Sequence, residues 1–179
     1  MLDQNPIQWN AANMKIALVS TGGTIEKTYD QYAQVLANQV SILDVMLAAL
    51  ELRGIDITRV ALMNKDSLEM DEADHDLIAN TVGGLKGDHD GVVIVHGTDR
   101  LAKSGERIIE RLDTVTIPIV LTGAMRPYAL RNTDATQNLT EALLAVQLLQ
   151  PGVYVSMHNR VLQFPGVIKD ETEGTFRLE

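Results

Sequence analysis

Short, uninterrupted apolar runs constrain this chain more than any other feature of it. Ile16-Ala17-Leu18-Val19, Val92-Val93-Ile94-Val95 and Pro118-Ile119-Val120-Leu121 show no polar alternation. A run of this kind reads as a strand covered on both faces, the condition of a parallel sheet between layers of helix. Strands are expected at 15–20, 57–63, 91–96, 118–121 and 153–157, with helical periodicity between them at 40–53, 71–85, 101–111 and 133–149. Asp71 and Thr133 stand at N-cap positions, and Gly54 and Gly152 follow where the chain leaves a helix. This rhythm predicts an α/β fold, a three-layer sandwich on a mostly parallel sheet.

Two segments break the rhythm. Residues 26–39 are polar, carry Tyr29 and Tyr32, and form a long strand-to-helix connection of the kind that serves as a lid or binding loop. From His158 onward, Val161-Leu162-Gln163-Phe164 and Thr175-Phe176-Arg177-Leu178 read as a hairpin or a small edge sheet.

Several functional classes fall away on composition. A formal net charge of −9 leaves no basic face to neutralise phosphates, so no nucleic-acid partner is expected. The chain has no cysteine, which removes disulfides, thiol nucleophiles and thiolate metal sites. No apolar stretch approaches the ~20 residues of a membrane span, and no membrane association is expected. Residues 1–13 lack the basic and apolar regions of a secretion signal. They read as a short disordered leader, or else the true start is Met14; a single domain is expected over 14–179, and the protein reads as cytoplasmic.

The ends of the expected strands carry the chemistry. Thr24 lies in Ser20-Thr21-Gly22-Gly23-Thr24-Ile25, and Thr98 in His96-Gly97-Thr98-Asp99. Ser67, in Lys65-Asp66-Ser67-Leu68-Glu69-Met70, follows a third strand, and Thr122-Gly123-Ala124-Met125-Arg126-Pro127 a fourth. In an open α/β sheet, side chains just past the carboxyl ends of the strands share one crevice. A single threonine beside glycine is ordinarily a turn residue; hydroxyl, glycine and acid residues at four strand ends point beyond packing. The Gly22-Gly23 pair fails the dinucleotide pattern, which needs three spaced glycines and an immediate helix. Lys103-Ser104 lacks the glycines of a phosphate-binding loop. His75, His89, His96 and His158 show no metal-ligand spacing, so no metal is expected, and His96 reads as a loop-orienting residue.

Together, Thr21-Gly22-Gly23-Thr24-Ile25, His96-Gly97-Thr98-Asp99 and Thr122-Gly123-Ala124-Met125-Arg126-Pro127 resemble, in order, the signature segments of the L-asparaginase family. Asp66-Ser67-Leu68-Glu69-Met70 is similar to its substrate-carboxylate segment, and Pro151 to Asn159 to the strand before its lysine. The resemblance runs from residue 15 to about residue 176. It implies a flavodoxin-like domain that hydrolyses the side-chain amide of asparagine through a threonine acyl-enzyme. Thr24 matches the nucleophile, Tyr29 the loop tyrosine that activates it, and Thr98, Asp99 and Lys169 the second catalytic set. Ser67 and Asp99 match the positions that hold the substrate's carboxylate and amino groups. No metal or organic cofactor is implied. An amidohydrolase preferring glutamine or a related amide, and a non-catalytic amino-acid-binding module, are the alternatives.

The residue types suit the chemistry. A threonine hydroxyl needs a neighbour to take its proton, and a tyrosine or a lysine set by a carboxylate does so. Backbone N–H groups at the Gly23-Thr24 and Gly97-Thr98 turns are candidate oxyanion donors. Which threonine attacks first stays open. Three departures from the family pattern stand out. Arg100 replaces a small hydroxyl residue, Leu68 replaces a polar substrate contact, and the chain stops at Glu179 where family members continue into a smaller second domain. A short, single-domain branch or a shortened form of the family is expected, with a homo-oligomer supplying the missing wall.

Overall fold

The computed structural model describes residues 13–30, 32, 34–37 and 41–179. The leader expected over 1–13 lies outside them except for Asn13, as does Val40, the expected start of the first helix.

Six strands form the central sheet, in the order β4-β1-β5-β6-β7-β8. These are β1 (Met14–Gly22), β4 (Ile55–Lys65), β5 (Gly91–Val95), β6 (Pro118–Thr122), β7 (Gly152–Met157) and β8 (Arg160–Gln163). The first five run parallel, and β8 closes the edge antiparallel to β7. The pleat sends alternate side chains to opposite faces, and each face is packed. Ala17, Val19, Val92 and Ile94 meet α2 (Glu72–Leu85) and α3 (Leu101–Arg111) on one side. Ile16, Leu18, Val93 and Val95 meet α1 (Leu43–Ala48) and α4 (Ala135–Leu148) on the other. This double burial explains the continuous Val/Ile runs and gives the predicted three-layer α/β sandwich. In crossover order the sheet reads 2-1-3-4-5, the flavodoxin-like pattern. Its switch point, where ligands bind in such folds, lies at the carboxyl ends of β1 and β5.

Two local expectations need correction, and a third is met in one of its two forms. The helix expected at 40–53 shrinks to the six residues of α1. Leu52 as well as Leu50 must pack on the core, and Gly54, at φ +80°, then turns the chain into β4. At α4 the N-cap is Asp134 and not Thr133, although the Thr133 hydroxyl accepts from Ala135 N at 3.0 Å. Asp71, by contrast, caps α2 through a full capping box with Asp74. The tail forms an edge strand and a small separate sheet, the second form expected, but residues 161–164 do not pair with Thr175–Leu178. His158 and Asn159, both at positive φ, form a two-residue turn that pairs β8 with β7. Thr175–Leu178 (β10) instead pairs with Val167–Asp170 (β9).

Within the polar connection after β1 lie a 3-10 turn (Thr24–Glu26) and a two-stranded ribbon, β2 (Thr28–Asp30) with β3 (Val35–Ala37). A second 3-10 turn, Ser67–Glu69, follows β4.

Candidate active site

The crevice is assembled by backbone contact between strand ends. Gly23 adopts φ +81°, and a Cβ there would lie 2.4 Å from both Cα and N of Gly97. At Gly97 a Cβ would in turn lie 2.5 Å from Ser67 Oγ. Only glycine permits this approach, and it brings the ends of β1, β5 and β4 together. Gly23, Gly97 and Ser67 thus meet at the switch point, with Thr24 and Thr98 next to them in sequence. Ser67 is 1% exposed and its Oγ is buried without a partner among the described residues. A buried hydroxyl left unpaired is costly unless a ligand supplies the partner.

Several contacts among the described residues hold the Thr24 turn. Gly23 N donates to Lys65 O at 2.9 Å, and Tyr128 N donates to Ile25 O at 3.4 Å. Lys27 Nζ pairs with Asp66 Oδ2 at 2.6 Å, which holds the Asp66 carboxyl below its ordinary range. Gly22 N donates to Glu26 Oε2 at 3.2 Å. The first of these corrects an expectation: the Gly23 amide is spent on Lys65 O and is not available to an oxyanion.

Of the second set, the structure joins two members directly. Lys169 Nζ, on β9, meets Asp99 Oδ1 at 2.5 Å although seventy residues separate them in sequence. Thr98, buried and next to Asp99 in sequence, turns its hydroxyl to Met125 Sδ at 3.6 Å, and no hydrogen bond links it to Lys169 among the described residues. Tyr29 is not brought to Thr24: it lies on β2 opposite Leu36, 63% exposed, with no hydrogen bond to Thr24 among the described residues. Thr122 is a packing residue, its buried hydroxyl donating to Ser156 O at 2.8 Å. Arg100 reaches back to Met70 O, and Leu68 stands 61% exposed beside Ser67.

Two supporting networks escaped the sequence reading. Asp134 accepts from Met125 N (2.9 Å), Arg126 N (2.8 Å), Asn138 Nδ2 (3.0 Å) and His158 Nε2 (2.7 Å), which fixes the loop after β6. Burial pushes its carboxyl upward, but those amides and His158 outweigh burial and hold it below the ordinary range. The second network lies beneath Thr98. His96 Nδ1 donates to Gly97 O at 2.8 Å, Ser104 donates to His96 Nε2 at 2.8 Å, and His75 Nδ1 donates to Ser104 Oγ at 2.7 Å. This donor pattern follows by elimination from the Gly97 carbonyl. It leaves His75 Nε2 buried without a partner among the described residues.

Both imidazoles are thereby held neutral. Burial pushes His96 down to about 4 and also lowers His75. Above the unfolded value of 6.5 neither state binds the proton, so the full stability is present. Below it the unfolded chain gains a proton that folded His96 refuses until about pH 4. The loss totals on the order of 3 kcal/mol, with about 2 kcal/mol gone by pH 5. Urea midpoints should therefore fall from pH 7 to pH 5, and His96→Gln should flatten that slope from a lower starting stability. A pH-independent midpoint in the native chain would contradict the buried neutral pair.

Among the described residues no group of three or more His, Asp or Glu side chains is placed to hold a metal ion. No described helix is long and apolar enough to cross a membrane.

Comparison with known proteins bears on the family and the fold. The chain is similar to an L-asparaginase of Thermococcus kodakarensis, with 30% identity over 149 residues, 83% of this chain and 45% of that protein. The solved structure of the thermostable L-asparaginase from T. kodakarensis matches with a TM-score of 0.84 over 92% of this chain and 51% of that one. Similarity extends to a glutamyl-tRNA(Gln) amidotransferase subunit of Haloquadratum walsbyi, 34% identical over 80% of this chain and 33% of that protein. The chain thus spans between a third and about half the length of these relatives. The family model for the asparaginase N-terminal domain matches residues 15–176. With nearly its whole length so matched, and the same fold in a solved L-asparaginase, this chain belongs to the asparaginase family.

Proposed function

We propose that the chain hydrolyses the side-chain amide of L-asparagine to L-aspartate and ammonia through a threonine ester. The reading is supported by the contact of Gly23 with Gly97 and of Gly97 with Ser67 beside Thr24 and Thr98, by the unpaired Ser67 hydroxyl among the described residues, and by the Lys169–Asp99 ion pair. Thr24 is the nucleophile. Its oxygen bonds to the amide carbon while its proton passes to a base, and the tetrahedral oxyanion takes hydrogen bonds from backbone amides. Collapse expels ammonia, protonated on leaving, and water then cleaves the ester to aspartate and free Thr24. Lys169, with its charge set against Asp99, moves the proton at the Thr98 side of the crevice. Tyr29 serves the Thr24 side once the β2–β3 ribbon carries it inward on substrate binding. Ser67 receives the substrate carboxylate and Asp99 its ammonium.

Glutamine, or a related amide, is the second reading. It is favoured by the similarity to a glutamyl-tRNA(Gln) amidotransferase and by Leu68, which puts no polar atom beside Ser67 to fix the length of the substrate. Neither reading calls for a metal or an organic cofactor. A cytoplasmic location and a homo-oligomer with a second copy walling the crevice complete the proposal. Ammonia release, measured for asparagine and glutamine in parallel and repeated on dilution, tests it. Release from neither amide would leave only the binding-module alternative.

A further inference from the structure

Glu26 lies two residues beyond Thr24 and is 1% exposed, yet it has no part in the chemistry proposed above. A carboxyl group is rarely buried to this degree without partners, and this one joins two distant points of the chain. Its Oε2 accepts from Gly22 N at 3.2 Å, on the near side of Thr24. Its Oε1 accepts from the Ser41 hydroxyl at 2.5 Å, at the far side of the β2–β3 ribbon that carries Tyr29. Ser41 Oγ is itself fed by two donors, Arg59 Nη2 at 3.3 Å and Leu43 N at 3.4 Å, so its single proton goes to Glu26. Arg59 is fixed in turn by Asp44 on α1.

We propose that Glu26 is a positioning residue that staples both ends of the segment carrying Thr24 and Tyr29, and so aims Thr24 into the crevice. The inference rests on the reading of Thr24 as nucleophile. It places the ionised carboxylate, an acceptor on both oxygens, as the working form. A protonated acid or an amide must present a donor to one of two groups that are themselves donating, and one of the two bonds is lost.

The charged and titratable groups around Glu26 make the staple sensitive to pH. Burial pushes the carboxyl upward; Ser41, the Gly22 amide and Arg59 on β4 oppose this, Asp44 on α1 adds to it, and the net direction is up. As pH falls, Glu26 protonates before an ordinary glutamate, the staple opens, and Thr24 loses its aim. Removing the Ser41 hydroxyl takes away a bond that favours the charged form, so opening then begins at still higher pH.

The test uses the full chain, Glu26→Gln and Ser41→Ala, with two readouts. Amide hydrogen exchange at pH 7, without substrate, should quicken over residues 22–41 by about tenfold in both variants, in line with one lost bond to a charged group. Peptides from α4 and β7 should be unchanged. In steady-state kinetics kcat/KM should fall about ten- to a hundredfold. The acid limb of the profile should shift to higher pH in Ser41→Ala and disappear in Glu26→Gln, which a merely structural contact would not produce. Should Glu26→Gln fail to fold, Ser41→Ala breaks the same bond from its more exposed end. Unchanged exchange over 22–41, or an acid limb that stays in place in Ser41→Ala, would overturn the staple. An inactive native chain whose variants nonetheless exchange faster would instead overturn the amidohydrolase reading.

Discussion

Thr24→Ala should fold like the native chain and lose asparagine turnover by roughly four orders of magnitude or more. The turn that presents Thr24 is held by backbone and by neighbours: Gly23 N on Lys65 O, Ile25 O on Tyr128 N, and Lys27 on Asp66. None of these uses the Thr24 hydroxyl, and the side chain is only half-buried. Its removal should therefore shift stability by no more than ~0.5 kcal/mol, as for a substitution away from core and caps. The chemistry, however, has no substitute for the bond that oxygen forms. Serine at the same position should recover part of the rate, because it keeps the nucleophile and loses only a methyl group. Comparable hydrolysis by Thr24→Ala and the native chain would remove Thr24 from the nucleophile's role and direct attention to Thr98.

Lys169→Met carries the second large effect. The side chain reaches Asp99 at 2.5 Å with only 14% of its surface exposed, while Asp99 keeps 35%. Solvent at Asp99 screens the pair, so its loss should cost about 1 kcal/mol of stability or less. Turnover should fall far more, on the order of 100- to 1,000-fold, because a general base or acid contributes 10²–10⁴-fold. The loss should sit mainly in kcat, with KM changed less, since the ammonium acts on the proton in flight. Lys169→Arg separates charge from proton transfer: it keeps the ion pair, but its guanidinium does not give up a proton. Activity retained in Lys169→Arg would reduce the residue to a positioning charge, and activity retained in Lys169→Met would remove it from the mechanism.

The layer architecture was legible because it is written in contiguous residues. Ile16 to Val19 and Val92 to Val95 are buried on both sheet faces, and an unbroken apolar run is the direct signature of that condition. The strand-end hydroxyls were visible in sequence but their directions were not: Thr122, beside Gly123, spends its hydroxyl on Ser156 O. Contacts made across long separations left no such trace. Glu26 and Ser41, Asp134 and His158, and His75, Ser104 and His96 are ordinary polar residues in sequence, and only the crossovers make them partners. Gly23 illustrates the limit at a single atom. Its glycine character was readable, but the bulge between β1 and β4 that delivers its amide to Lys65 O was not. The ribbon presents a similar case, since the motif marks Tyr29 while the structure leaves it on an exposed strand away from Thr24.

Everything proposed for the crevice depends on a threonine of this chain forming an ester with the substrate acyl group. That ester can be sought by quenching the full chain in acid during turnover at millimolar asparagine and mapping the covalent adduct by peptide mass spectrometry. An aspartyl adduct is expected on the peptide containing Thr24, absent from Thr24→Ala and accumulating in Lys169→Met if the ester-cleavage step is slowed. An adduct confined to the Thr98 peptide would reverse the order of the two threonines. Ammonia released at full rate with no adduct on either threonine would contradict the covalent mechanism itself.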